Sequence, residues 1–363
     1  MMILSALVLV AATVSVSKPI QAAPLRVGIA GLVHGHVGGF LNNALRRKDI
    51  EIVGIAEPNT AVAERYQKQY KLPASLFYSS YSEMMDKSKP EAVLAYTNTF
   101  DHKEIVEECA ARKIHVMMEK PLAISNAHGK AIAEAGKRSG IHILVNYETT
   151  WYPNNGLIQK LAIDGKTLGK IRKVTVRDGH QGPKEINVQA EFLDWLTDAK
   201  RNGAGALYDF GCYGANLTTW LMNNERPISV MALTQTFKPE IYKSVDDDAI
   251  IVLEYPGAQA TIMASWNWPY GRKDWEIYGE HGSIITTGSG PIKYRIRQSA
   301  EETITPDQPS PTNGDPISYL IAVIRGNLKP TGTSSLENNL IVTEILDAAR
   351  TSAKTGKRVM LPH

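Results

Sequence analysis

Between Leu25 and Tyr147, short runs that are apolar throughout alternate with longer amphipathic stretches. The runs Arg26–Ala30, Ile52–Ala56, Ala92–Ala95, His115–Met118 and His142–Asn146 have the length and composition of strands covered on both faces. Between them, Val37–Arg47, Ala61–Tyr70, His102–Arg112 and Asn126–Ser139 carry apolar residues at helical spacing. Strands of this kind separated by helices predict parallel pairing through right-handed crossovers, hence a doubly wound α/β sheet.

After residue 150 the pattern changes. All six tryptophans (151, 195, 220, 266, 268 and 275) lie there. From Lys170 to Arg297 most segments alternate apolar and polar, as in Lys173–Arg177 and Ala249–Leu253, with turn residues such as Tyr255-Pro256-Gly257 between them. This predicts a large, mainly antiparallel open sheet, interrupted by a helix over Tyr213–Met222. A Pro-, Asp- and Ser-rich stretch, Thr305–Pro316, reads as a surface loop. Two helices close the chain, the last with a capping box at Ser334 and Glu337 and a stop at Gly356. The expected division is a doubly wound domain over 24–148 and an α+β domain over 149–363, whose C-terminal helices pack back on the first.

The first 23 residues stand apart. Ile3–Val16 is apolar and uncharged and runs into Ser-Lys-Pro and then Ala22-Ala23, which reads as a secretory signal peptide, although Met1-Met2-Ile3 supplies no basic residue ahead of it. The expectation is export to a periplasm or the exterior, with no membrane segment after removal. Composition then excludes other classes. Forty basic against 37 acidic side chains leave a net charge of +3, too even for a nucleic-acid binder. Two cysteines, Cys109 and Cys212, exclude a disulfide scaffold or a Cys-rich zinc site. An ordinary small-molecule enzyme remains.

The candidate chemistry begins at the first strand-to-helix turn, Gly31-Leu-Val-His-Gly-His-Val-Gly38. A dinucleotide fingerprint would place glycines at 31, 33 and 36; Gly31 fits, while Val33 and His36 do not. The turn keeps the physics of a phosphate loop, since Gly31 permits the bend, Gly35 frees the backbone and the helix start offers N–H groups. His34 and His36 add donors for an anion. His-x-His is also half a metal site, but no carboxylate or cysteine lies close in sequence, so no metal is expected. Glu57 ends the second strand where an acidic side chain would accept from the ribose hydroxyls of NAD and repel the 2′-phosphate of NADP, or simply charge a helix start. Glu119-Lys120-Pro121 follows the strand His115–Met118, at the strand ends where a doubly wound sheet places its ligand crevice.

With these residues the chain resembles the glucose–fructose oxidoreductase / inositol dehydrogenase (Gfo/Idh/MocA) superfamily. Glu119-Lys120-Pro121 is that family's signature. Tyr96-Thr97-Asn98-Thr99-Phe100-Asp101-His102 is similar to its Thr-Pro-Asn-x-x-His segment, with Asn98 where proline is usual. Gly203-Ala-Gly-Ala-Leu-Tyr-Asp209-Phe-Gly-Cys-Tyr213-Gly-Ala-Asn216 resembles its second block. The resemblance implies a nucleotide-binding Rossmann domain holding NAD, with Gly31, Val33, His34, Gly35, His36, Glu57, Thr97, Asn98, His102, Glu119 and Lys120 around the cofactor. It implies that Lys120 reaches both nicotinamide and substrate, that Asp209 holds the substrate, and that Tyr213 stands where most members have the catalytic histidine. Asn216 replaces a usual aspartate.

The chemistry of such a site needs a proton acceptor for a secondary alcohol and charge to steady the alkoxide. A phenol serves as base near neutrality only if a cation lowers it, so a Lys120–Tyr213 pair is expected, with Asp209 fixing the substrate. His180 and Arg272 or Lys273 are expected to face the crevice, and Trp151 and Trp195 to offer a face to a sugar ring. The leading expectation is an oxidoreductase of sugars or polyols. The alternative is an NAD-dependent glycosidase that oxidises, eliminates and re-reduces with one held cofactor. The open sheet calls for cover, which suggests a homo-oligomer.

Overall fold

The structure is a computed structural model, and it describes residues 23–309, 312 and 314–362. The predicted signal segment, apart from Ala23, lies outside the described residues.

The first sheet contains β1 (Leu25–Ala30), β2 (Ile50–Ala56), β3 (Phe77–Tyr78), β4 (Ala92–Ala95), β5 (His115–Glu119) and β6 (Ile143–Asn146). All neighbours are parallel, in the order β3-β2-β1-β4-β5-β6. Its helices are α1 (Val37–Ala44), α2 (Thr60–Tyr70), α3 (Tyr81–Ser88), α4 (His102–Ala111) and α5 (Asn126–Ser139). Local chemistry sets several of their ends. Asn59, Ser80 and Ser125 cap α2, α3 and α5 with side-chain oxygens, and Gly140 closes α5 in the left-handed region. The sequence pattern missed β3 and α3, because β3 is a two-residue edge strand with no apolar run to mark it.

A short connector, α6 (Asn154–Ile158), leads to the second sheet, which opens with β7 (Ile171–Gly179). Four helices follow: α7 (Ala190–Leu196), α8 (Ala199–Asn202), α9 (Ala206–Asp209) and α10 (Gly211–Leu221). The sheet continues with β8 (Ser229–Gln235), β9 (Asp248–Glu254), β10 (Gln259–Ser265), β11 (Arg272–Gly279), β12 (Gly282–Thr287), β13 (Ile292–Ile296) and β14 (Glu302–Ile304). Helices α11 (Pro316–Ile324) and α12 (Leu336–Thr355) and the strand β15 (Val359–Met360) end the chain. The order is β14-β13-β12-β11-β7-β10-β9-β8-β15, antiparallel except for the β7–β10 pair. Alternation does its work here: Ala249, Ile251 and Leu253 of β9 point inward, while Ile250 and Val252 are exposed.

Two apolar cores result. One joins the α3–α5 face of the first sheet to the second sheet, α10 and α12. The other covers the opposite face of the first sheet with α1, α2 and α11, through Ile317, Tyr319, Leu320 and Val323 against Leu25, Val27 and Phe40. Helix α11 thus packs on the first sheet. The last helix starts one residue later than its capping box suggests. Gly332–Ser334 forms a single 3-10 turn, Ser335 becomes the cap for Asn338 N–H, and Ser334 Oγ donates to the Val145 carbonyl instead.

Candidate active site

A cavity of about 560 Å³ lies between the two sheets, bounded by Gly35, His36 and Lys120 from one side and by His180, Tyr213 and Arg272 from the other. Lys120 reaches its floor directly from the end of β5. Its Nζ donates to Asp209 Oδ1 at 2.5 Å and to the Asp209 carbonyl at 3.0 Å. Trp266 Nε1 donates to the other carboxylate oxygen at 2.9 Å. Both partners are almost fully buried. Burial disfavours each charge, and each outweighs that penalty for the other: Lys120 is raised and Asp209 lowered from their ordinary values.

Tyr213 departs from the expected pairing. Lys120 Nζ lies 5.1 Å from the centre of its ring, and Lys273 Nζ lies closer, at 3.6 Å. Both cations thus sit against the aromatic ring. Burial, with the acidic groups Cys212, Glu148, Asp209 and Glu119 nearby, pushes the phenol well above its usual value. Tyr213 forms part of the cavity wall. Lys273 pairs across the strands with Asp178, whose carboxyl burial raises to about 7 despite that lysine. His180 lines the cavity, accepts Gly182 N–H on Nδ1 at 2.9 Å, and is lowered by burial. Arg272 also lines it, held by Asp274 and by the face of Trp268.

At the glycine turn, Gly31 has φ of +79°, and a Cβ there would stand 2.7 Å from Thr97 Cγ2. Glu57 closes the turn from beneath by accepting Leu32 N–H at 2.7 Å and Asn59 N–H at 2.8 Å. His34, His36 and Glu119 converge at the start of α1, although Glu119 is 83 residues from His36 in sequence. Their donor atoms lie within 4.8 Å of one another, a spacing that suits a metal ion. The hydrogen bonds favour another arrangement. His34 Nδ1 accepts His36 N–H at 3.2 Å, so neutral His34 carries its proton on the buried, unpartnered Nε2, which faces Glu119 Oε2 at 4.0 Å. A proton rather than a lone pair points toward the would-be metal.

Comparison with known proteins decides the family. Residues 25–147 match the oxidoreductase family with an NAD-binding Rossmann fold, and residues 159–285 match the GFO/IDH/MocA C-terminal domain. The chain belongs to the Gfo/Idh/MocA oxidoreductase family. It is 24% identical over 315 residues to trans-1,2-dihydrobenzene-1,2-diol dehydrogenase of Xenopus laevis, covering 83% of this chain and 89% of that one. Its fold is similar to a crystal structure of an inositol dehydrogenase homologue complexed with NAD+ from Azotobacter vinelandii, with a TM-score of 0.81, 18% identity, and coverage of 96% and 100%. It is also similar to aldose–aldose oxidoreductase from Caulobacter crescentus complexed with glycerol, with a TM-score of 0.77, 21% identity, and coverage of 93% and 100%.

The N-terminal sheet is thus the family's NAD-binding domain, and its residues fit that cofactor unequally along its length. At the nicotinamide end they fit, because the cavity is open over Gly35, His36 and Lys120. On the other side of the turn α7 lies across it. Phe192 packs on His34 and Gly35, Trp195 Nε1 donates to the Val33 carbonyl at 3.1 Å, and Arg65 of α2 pairs with Glu191. Residues expected around the cofactor are correspondingly enclosed. Thr97 is buried with its hydroxyl on the Asn98 carbonyl, and Asn98 caps the turn at Asp101. His102 is a core histidine facing the Leu122 carbonyl, which burial lowers to about 4. None of these three, nor Glu57, borders the cavity.

The tryptophans offered for sugar stacking are elsewhere too. Trp195 is buried in the α7 contact, and Trp151 borders a smaller neighbouring cavity of about 400 Å³ while its Nε1 donates to Asn146 Oδ1. Sequence reasoning missed Glu148, Tyr152, Phe192 and Phe210 as cavity walls. Glu148, Tyr152 and Phe192 lie outside any motif, and Phe210 occupies an unspecified position of the second block, so only the fold shows that they face the cavity.

Proposed function

We propose that this protein moves hydride between NAD and a secondary alcohol or carbonyl of a sugar, polyol or related diol. The buried Lys120–Asp209 pair at the floor of a cavity shared by both sheets carries this reading. The nicotinamide supplies the hydride acceptor when bound. Lys120 keeps its charge because Asp209 holds it, and a fixed ammonium in a water-poor floor steadies a developing alkoxide. Asp209, tied by Trp266, orients that ammonium. Arg272 and His180 at the rim supply polar contacts for hydroxyl groups, and Phe210 supplies an apolar face. The dehydrogenase and oxidoreductase names of the relatives support this substrate class.

A preference for NAD over NADP belongs to the same reading, through the negative charge that Glu57 holds beneath the glycine turn just after β2. Export through the N-terminal apolar run and self-association through the open sheet face, where Met231, Leu233, Ile250 and Val252 are exposed, belong to the same reading. The test uses purified protein, NAD or NADP, and a panel of sugars, polyols and p-nitrophenyl glycosides. NADH formation from a free sugar or polyol is the expected result. Glycoside cleavage with no net NADH would establish the redox glycosidase instead. N-terminal sequencing of exported material and light scattering report on compartment and assembly.

A further inference from the structure

Lys273 is a cation without an oxygen to hold. Its side chain lines the cavity and is only 16% exposed. Its Nζ lies 3.6 Å from the centre of the Tyr213 ring and 5.0 Å from that of Phe210. The rings seat the ammonium, but among the described residues its N–H groups reach no hydrogen-bond acceptor, and the carboxylate paired with it, Glu148, stands 3.7 Å away. Lys120 lies over the same two rings, at 5.1 and 5.9 Å, yet is locked to Asp209. A mostly buried ammonium with unused donors is costly unless something else completes it.

The groups beside Lys273 on this wall are donors too. The His180 ring centre lies 4.9 Å from that of Phe210, and its Nδ1 accepts Gly182 N–H at 2.9 Å, so neutral His180 carries its proton on Nε2. Arg272 spends Nε and Nη2 on Asp274 and keeps Nη1 without an acceptor among the described residues. The acids of this wall are already engaged. Asp274 holds Arg272, and Glu148 accepts Tyr152 O–H on one oxygen and faces Lys273 with the other. Asp178, opposite Lys273 in the strand register, is buried and does not border the cavity. A hydroxyl placed among donors leaves its own hydrogen without an acceptor, whereas a carboxylate accepts on both oxygens. A single negative charge also matches one unlocked ammonium better than a dianion does.

We propose that Lys273, with Arg272 and His180, binds a carboxylate of the substrate, so that the protein takes a sugar acid in preference to its neutral counterpart. The inference rests on the hydride-transfer reading above and narrows its substrate. Lys120 meets the reacting carbinol, and Lys273 holds the acid group through charge-assisted hydrogen bonds. Because both ammoniums lie over the rings of Tyr213 and Phe210, carbinol and carboxylate are near neighbours in the bound molecule. Lys273 thus governs which molecule is held.

The test compares acids with their neutral partners on the purified full chain and NAD: gluconate against sorbitol, glucuronate against glucose, and galacturonate against galactose. At least one acid should exceed its partner by about tenfold or more in kcat/KM, mostly through KM, the scale of one hydrogen bond to a charged group. Lys273→Met should lower kcat/KM for that acid by about 10–100-fold and shrink the acid-to-neutral ratio with it. Lys273→Gln fills similar space without the charge, guards against a folding defect and should shrink the ratio likewise, whereas Lys273→Arg should keep most of it. Calorimetric titration of the wild type with the acid, with and without NAD, should show saturable binding that Lys273→Met loses. Neutral partners matching or surpassing the acids in every pair overturn the proposal. So does a ratio unchanged in Lys273→Met and Lys273→Gln, which leaves Lys273 as packing for Tyr213. Preference for glucose 6-phosphate over every acid overturns it in favour of a phosphate. If no sugar, polyol or acid yields NADH, the hydride-transfer reading fails, and the titration decides the carboxylate site: acid binding lost in Lys273→Met upholds it, and no binding removes it.

Discussion

Lys120 and Asp209, 89 residues apart in sequence, meet at 2.5 Å with both side chains nearly excluded from water. Removing one partner leaves the other as an uncompensated buried charge, which costs about 3–5 kcal/mol. Lys120→Met and Asp209→Asn are therefore expected to unfold at clearly lower denaturant concentration than wild type. Turnover should fall at least about 10²-fold in each, the scale of one lost electrostatic donor. Chemical denaturation and steady-state rates check both; a Lys120→Met protein with normal turnover removes Lys120 from the chemistry.

Tyr213→Phe should behave unlike the lysine change. The phenol stays neutral and its ring is what Lys273 and Lys120 approach. Phenylalanine keeps that ring. The expected loss in kcat is below about tenfold, the size of one neutral hydrogen bond. A fall of several orders of magnitude would make its hydroxyl the group that exchanges the substrate's proton.

Asp178 predicts a pH-dependent stability. Burial raises its carboxyl to about 7, so the folded state holds a proton that the unfolded chain releases near pH 4. Stability contributed by the protonated form is full below that lower value and is lost as pH rises toward 7. Asp178→Asn mimics the protonated state. It should be more stable than wild type at pH 8 by roughly 1–3 kcal/mol and nearly equal to it at pH 4. Melting curves at the two pH values decide; a constant difference counts against the assignment.

The Arg65–Glu191 pair ties α2 to α7 beside the glycine turn. Exposed pairs are worth about 0.2–1 kcal/mol. Glu191→Gln should accordingly speed NAD entry and release by up to about fivefold, without changing the chemical step. Stopped-flow quenching of tryptophan fluorescence, with Trp195 in the same contact, measures this directly; unchanged rates would show that α7 does not limit exchange.

Which parts of this arrangement could be read beforehand follows from the range of the interactions. The parallel strands were legible because burial on both faces leaves continuous apolar runs, as in Ala92–Ala95. The second sheet was legible through alternation. Lys120 was legible because a strand end delivers it to the crevice, His180 and Arg272 as residues on or beside a sheet strand, and Asp209 through the resemblance of its block to the family's. Glu57 was legible as a residue at the end of β2, but its clamp on Leu32 and Asn59 N–H depends on how tightly the turn folds. Contacts between distant segments left no local trace. The seven residues of α7 give no sign that Arg65, 126 positions away, will meet Glu191. Nor does His-x-His announce the carboxylate that the end of β5 brings to it.

Strands β7 and β10 run the same way inside an otherwise antiparallel sheet, and both finish at one rim. There His180 N–H bonds to the Ser265 carbonyl, and Gly179, at φ of +144°, leaves no room for a side chain beside it. Arg272 begins its own strand directly opposite Gly179. Three segments far apart in the chain are thus brought side by side at the mouth of the cavity, while the lysine below is anchored in the other sheet. Changes in the length or polarity of those connections can retune which molecule is admitted without disturbing the machinery underneath, so selectivity and reactivity are free to diverge independently.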